Sequence, residues 1–340
     1  MRVVKSVPVE DFEFRGSIKD SDVSRLVRAF AEDPHIHEAE AETLLRLNKS
    51  CPVQGPSWCG FLVDAIADYI LNQSGHEGYI TTEKSRWLVG KLSSDGWIAN
   101  RAELDLMVAI LGRARWFPLS LATFVLDQVA GAVIHGFGPL RVGQGPAQAL
   151  GSVPGSISEG EIALIRTILN AFGGDSSIPV TQPEAEILIS VNRAVASRSA
   201  APAAWTDLYA KAIANILLSE HGYAVPPRAV ALRPWATDDA HASVDALVAE
   251  SLGGMRATYQ RATAEGRALA RLERQRIEIV TGETVAGIDG EWLTLRLAES
   301  RRPSAVDAAV VDHLRRECLI ADAWGDELMP DSRAVAATAA

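Results

Sequence analysis

One stretch of this chain occurs twice, and that repetition limits the folds open to it more than any other feature. The first copy runs from Glu40 to Asn48 (EAETLLRLN) and, after a short loop, continues from Trp58 to Leu71 (WCGFLVDAIADYIL). The second runs from Glu184 to Asn192 (EAEILISVN) and, after a slightly longer loop, continues from Trp205 to Leu218 (WTDLYAKAIANILL). The Glu-Ala-Glu, the Leu that follows, the Asn, the Trp, the Ala-Ile-Ala and the closing Leu match in order. Unrelated amphipathic helices share an apolar period, but not Glu, Asn and Trp at matched places. We read the pair as an internal duplication, each copy a helix, a loop and a second helix.

The rest of the chain extends this pattern. From Asp20, Val23, Leu26, Val27 and Phe30 fall at helical spacing, and the pattern stops at Asp33-Pro34, where the residue before proline leaves the helical region. Thr81 or Thr82 caps a helix holding Trp87, Leu88 and Leu92. Asp95-Gly96 signals a turn. A helix with Leu104, Met107, Ile110 and Leu111 follows, and an amphipathic segment from Leu119 to Ile134 closes the first repeat. Ser158 with Glu161 has capping-box spacing and opens the second repeat. Beyond Trp235 the pattern is interrupted and then resumes. Val285 lies seven residues before Trp292-Leu293, as Ile80 lies seven before Trp87-Leu88, and Val306 to Leu314 matches Leu104 to Leu111.

The expected fold is therefore all-α: two tandem repeats of paired helix-loop-helix units, the second carrying a helical insertion. An extended N-terminal arm covers 1–19, repeat one 20–136, a Gly/Pro-rich linker 137–157, repeat two 158–320 with the insertion at about 236–283, and a tail 321–340.

Within these units a loop aliphatic precedes a helix that often carries a glutamate four residues on, as in Ile36 to Glu40 and Val180 to Glu184. Asp95-Gly96-Trp97-Ile98 places a glycine two residues before the isoleucine. These relations resemble those of the EF-hand-like helix-loop-helix class and, more loosely, of bacterial TerB-like helical domains. The resemblance implies paired helix-loop-helix units whose loops exchange backbone hydrogen bonds at the buried isoleucine. In calcium-binding members it also implies oxygen-lined loops.

Ligand counting weighs against calcium. A working loop needs side-chain oxygens at its first, third, fifth and twelfth positions. Aligned on Ile36, the first and third positions hold Ala29 and Ala31. On Ile98 they hold Lys91 and Ser93, with Ala102 at the twelfth. On Val180 the first is Gly173, and on Ile80 the twelfth is Lys84. The loops read as degenerate and the isoleucines as structural.

Composition removes further classes. A formal net charge of −10 over 340 residues is the wrong sign for nonspecific nucleic-acid binding. Three cysteines, Cys51, Cys59 and Cys318, neither form an even disulfide set nor space as a zinc knuckle, and with an N-terminus bearing Glu10, Asp11 and Glu13 they point to the cytoplasm. The most apolar run, Phe117 to His135, is broken by Asp127 and Gln128 and does not read as a membrane span. His35-Ile36-His37-Glu38 is the densest metal-like cluster but lacks a third ligand at a set spacing. Neither a phosphate loop, a nucleophile elbow nor a cofactor motif is present.

Trp58, Trp205, Trp87 and Trp292 occupy duplicated places in apolar helices and read as core anchors. Inside the insertion, Arg267, Arg271 and Arg274 lie at i, i+4 and i+7 on one helix face. In an acidic chain this is the most local charge feature. It marks the insertion as the place to look for function: a non-catalytic interaction or regulatory protein whose arginines meet a protein partner. A calcium sensor, and an enzyme with its site between the repeats, are the alternatives.

Overall fold

The structure is a computed structural model that describes residue 7 and residues 9–32, 35–75, 77–136, 138–140, 153–171, 178–198, 200–234, 260–283, 290–298 and 305–317. Its described residues are mostly helical, as expected of an all-α chain, with three two-stranded ribbons. The chain divides into two compact units. Unit 1 comprises 1–132, 137–152 and 277–283; unit 2 comprises 133–136, 153–276 and 284–340. Val285, Cys318, most of the expected linker, the insertion up to residue 259 and the 321–340 tail lie outside the described residues.

In unit 1, Val9–Arg15, expected to be extended, is a helix (α1), because Val9 and Phe12 fall three residues apart and both are buried. The short strand β1 (Ser17–Ile18) follows, then α2 (Asp20–Glu32) and α3 (Glu38–Ser50). Strand β2 (Val53–Gln54) pairs in parallel with β1. Next comes α4 (Pro56–Asp68), with Pro56 at its first position, where a missing N–H costs nothing. It runs on as a single π-helical turn, Tyr69–Gln73. Helix α5 (Thr82–Leu92) is capped by the Thr81 hydroxyl, which accepts from the Lys84 N–H.

The hairpin β3 (Ser93–Ser94) and β4 (Trp97–Ile98) turns at Asp95 and Gly96, with φ of 53° and 83°. Two consecutive positive φ values define the tight turn that Asp-Gly favours. Then come α6 (Arg101–Arg113) and α7 (Leu119–His135). On α7, Gly131 is packed by the Trp97 ring, and a Cβ there would run into that ring. The core is Leu44, Leu47, Trp58, Leu62, Ile66, Leu104, Met107 and Ile110, and α4 packs most extensively against α6.

Unit 2 contains α8 (Glu159–Ala171), α9 (Gln182–Ala196) and α10 (Ala203–Glu220). They are followed by β5 (Tyr223–Ala224), the short α11 (Arg228–Ala231) and β6 (Gln260–Arg261), antiparallel to β5. Helices α12 (Ala264–Thr281, its last residues in unit 1), α13 (Gly290–Ala298) and α14 (Ala305–Glu317) complete the described chain. Helix α10 is buried on nearly every side from Leu208 to Leu218, as its continuous apolar sequence requires. It packs most extensively against α14.

Candidate functional site

Among the described residues, an exposed helix, two open clefts and several buried polar clusters could carry function.

Helix α12 forms because its sequence, AEGRALARLERQRIEIVT, is made largely of Ala, Leu, Glu, Gln and Arg, the strong helix formers. Thr263 caps it: its hydroxyl accepts from the Gly266 N–H at 3.0 Å and its carbonyl from the Arg267 N–H. The C-terminal end is anchored in unit 1. Ile277 and Thr281 are buried, the Thr82 hydroxyl donates to the Thr281 carbonyl, and the Ser120 N–H donates to Glu283 at 2.9 Å. The remainder is bare. Leu269, Leu272 and Ile279 are 61%, 61% and 83% exposed. At i, i+3 and i+10 they share one face.

Arg267 and Arg271 are exposed and Arg274 is half-buried, on the other side of the helix. Arg267 donates to the Ala262 carbonyl. Among the described residues no carboxylate pairs with these three arginines.

A cleft of about 520 Å³ in unit 1 sits over the π-helical turn. Ala67 and Leu71 form its apolar lining, and Asp68, Glu77, Arg113 and Arg115 its charged one. Arg113 pairs with Asp64 at 2.8 Å, and Asp68 accepts from the Asn72 amide at 2.6 Å. A second cleft, about 420 Å³ in unit 2, is lined by four alanines with Thr206, Asp207 and His313. Its acid is already committed: Asp207 pairs with Lys211 at 2.6 Å and faces Arg166 at 3.8 Å.

Trp58 and Trp205 are both 0% exposed, and each indole N–H donates to an asparagine: Asn48 at 3.0 Å and Asn192 at 3.2 Å. These are the two asparagines of the repeated stretch. Trp87 and Trp292 are half-buried, and Trp87 donates to Glu38 at 3.0 Å. Around Asn48 the polar cluster grows, for its amide donates to the buried Glu103 and its carbonyl oxygens accept from Gln54. Burial pushes the Glu103 carboxyl above its ordinary range. Burial also lowers Lys84, whose ammonium donates to the Ile70 and Tyr79 carbonyls, and it raises Tyr209.

The loop aliphatics Ile36, Ile80, Ile98 and Val180 are all buried. The Ile80 N–H donates to the Trp116 carbonyl at 2.9 Å. At the other three the loop N–H is met by a side-chain amide: Gln73 for Ile36, Gln128 for Ile98 and Asn215 for Val180. The glutamates four residues on are helix caps. Glu40 accepts from the His37 N–H, and Glu184 from the Thr181 N–H and hydroxyl. The His35 and His37 rings meet edge to face at 4.8 Å. No group of three or more His, Cys, Asp or Glu among the described residues could hold a metal ion.

Sequence reasoning used Glu184 only as a repeat and loop marker and passed over Arg228. Both are fully buried and joined at 2.7 Å. Arg228 follows Pro226-Pro227 in a stretch without apolar periodicity. The capping-box spacing of Thr181 and Glu184 was the available signal for the acid. Glu103, three residues after the N-cap Asn100, carried the same signal.

Compared with protein-family models, with curated proteins and with solved structures, the chain gives no match. The functional reading therefore rests on its own geometry.

Proposed function

We propose that the chain is a non-catalytic cytoplasmic interaction protein, a duplicated EF-hand-like helical scaffold that presents α12 to an acidic amphipathic helix of a partner protein. One observation carries it: an 18-residue helix exposes two leucines, an isoleucine, Arg267 and Arg271 while burying only Ile277 and Thr281, and no carboxylate among the described residues pairs with its arginine stripe. A folded chain pays for such exposure in solubility unless a partner covers the apolar face. The arginines select the partner's chemistry, since guanidinium groups bind carboxylates with charge and paired hydrogen bonds.

Two parallels support the duplication. Each Trp helix bonds the asparagine of the helix before it. Each also packs most extensively on the helix that the sequence matched to its counterpart, α6 for α4 and α14 for α10. Free Cys51 and Cys59 fit a reducing compartment, and no helix among the described residues is long and apolar enough to cross a membrane. Capping glutamates, in place of cation ligands, weigh against the calcium-sensor reading.

The test uses fluorescently labelled amphipathic peptides with a Leu face and a Glu-rich or a Lys-rich polar face. Anisotropy should show saturable binding of the Glu-rich peptide only, weakening with salt. Arg267→Glu, Arg271→Glu and Arg274→Glu together should abolish it with helicity unchanged, and Leu269→Ser with Leu272→Ser should do the same. Equal binding of both peptides, or binding that survives the charge reversal, refutes the assignment.

A further inference from the structure

The cleft over the π-helical turn holds an acid and a base that leave each other alone. Glu77 and Arg115 both line it and both are exposed, and neither forms an ion pair among the described residues. Its remaining charges are engaged locally, Arg113 with Asp64 and Asp68 with the Asn72 and Gln73 amides. At about 520 Å³ the cleft falls among small-molecule sites, which span about 300–1,000 Å³.

The turn beneath it is held from several directions. The Ser74 N–H donates to the Tyr69 carbonyl, five residues back. The freed Ile70 carbonyl is met by the Ser74 hydroxyl at 3.0 Å and the Lys84 ammonium at 3.2 Å. Gln73 ties the turn to the Ile36 N–H at 2.6 Å. The far wall is fixed as well: Gly78 donates to Leu71, and its carbonyl accepts the N–H groups of Arg115 and Trp116. The Arg115 stem crosses Gly78, where a Cβ would stand 3.2 Å from Arg115 Cγ. Single π-turns inside α-helices recur at functional sites.

From this arrangement we infer that the cleft binds a small zwitterion of the amino-acid class, free or as a short peptide. Its carboxylate would lie on Arg115, its ammonium toward Glu77, and its side chain against Ala67 and Leu71. The mixed lining sets that class. A simple polyanion would meet Glu77 and Asp68, and a simple cation would meet two arginines. A molecule carrying both signs satisfies both ends.

The full-length chain is screened by thermal shift and calorimetry against the standard L-amino acids and the dipeptide Gly-Leu. Pyrophosphate and putrescine serve as single-sign controls. The expected result is a saturable rise in melting temperature with at least one zwitterion and with neither control. Arg115→Ala and Glu77→Gln should each weaken binding about tenfold or more, with Arg115→Lys intermediate because it keeps charge but loses the bidentate fork. Both groups are exposed, so the unliganded variants should melt as the wild type does. Circular dichroism checks this. A response to pyrophosphate or putrescine alone, no response to any zwitterion, or binding unchanged in Arg115→Ala overturns the inference.

Discussion

Replacing Arg228 by methionine should cost unit 2 about 3–5 kcal/mol, the range for stranding one member of a buried ion pair. A guanidinium has five N–H donors, and here all five are used. Nε donates to the Ile178 carbonyl at 3.1 Å. Nη1 donates to the Leu169 carbonyl and Glu184 Oε1 at 2.8 and 2.9 Å. Nη2 donates to the Pro179 carbonyl and Glu184 Oε2, at 2.8 and 2.7 Å.

Methionine matches much of the volume but leaves three carbonyls without that donor and a buried carboxylate held only by Thr181. The penalty is mainly desolvation of the stranded charge, so removing the second charge should restore part of it. Glu184→Gln combined with Arg228→Met should therefore be more stable than the sum of the single losses by about 1–3 kcal/mol. Native-state hydrogen exchange of amides in α9 and α10 reads this within unit 2. A single-variant loss under about 1 kcal/mol, or strictly additive losses, would show that Arg228 is not carried as half of a buried pair.

Trp58→Ala and Trp205→Ala should each lower stability by about 3–5 kcal/mol, measured by urea unfolding, since both indoles are fully buried. For Glu103, the raised carboxyl means the folded state holds its proton longer, so its stability contribution is lost as pH rises through the raised value. The melting temperature of wild type minus that of Glu103→Gln should accordingly increase on going from about pH 7 to about pH 5. Micromolar calcium should leave the melting temperature unchanged; a saturable calorimetric heat would restore the sensor reading.

The helices were legible because apolar spacing and caps are local signals. Asp95-Gly96 announced its turn, Ser158 with Glu161 its helix start, and both are found there. The N-terminal segment was misjudged because α1 has a single turn's worth of apolar contact, Val9 with Phe12, beneath a valine-rich run that looked extended. The cleft was illegible for a different reason. Glu77 and Arg115 lie far apart in sequence, and they are brought to one cleft only where the Gly78 carbonyl accepts the Arg115 N–H at 2.8 Å. Arg228 likewise met Glu184 from 44 residues away, a distance at which no periodicity speaks.

Two of the loops, at Ile36 and Val180, place an aliphatic four residues before a glutamate, the spacing that an EF-hand also uses, and the contacts made there have local causes. In a binding loop a cation gathers backbone and side chains around itself. Here a neutral amide does comparable work. Gln128 accepts the Ile98 N–H with its oxygen at 2.9 Å and donates with its nitrogen to the Gly96 carbonyl at 3.1 Å, closing the hairpin from a helix 30 residues on. Gln73 does the same between Ile36 and Asp68, and Asn215 meets Val180 at 3.0 Å. An amide supplies donor and acceptor together without a charge to desolvate. The glutamate has a separate role: at Glu40 and Glu184 it accepts the N–H of the residue just past the loop aliphatic, a cap that any helix start can use. Resemblance to a calcium loop at those two positions is thus accounted for by helix capping and core burial alone.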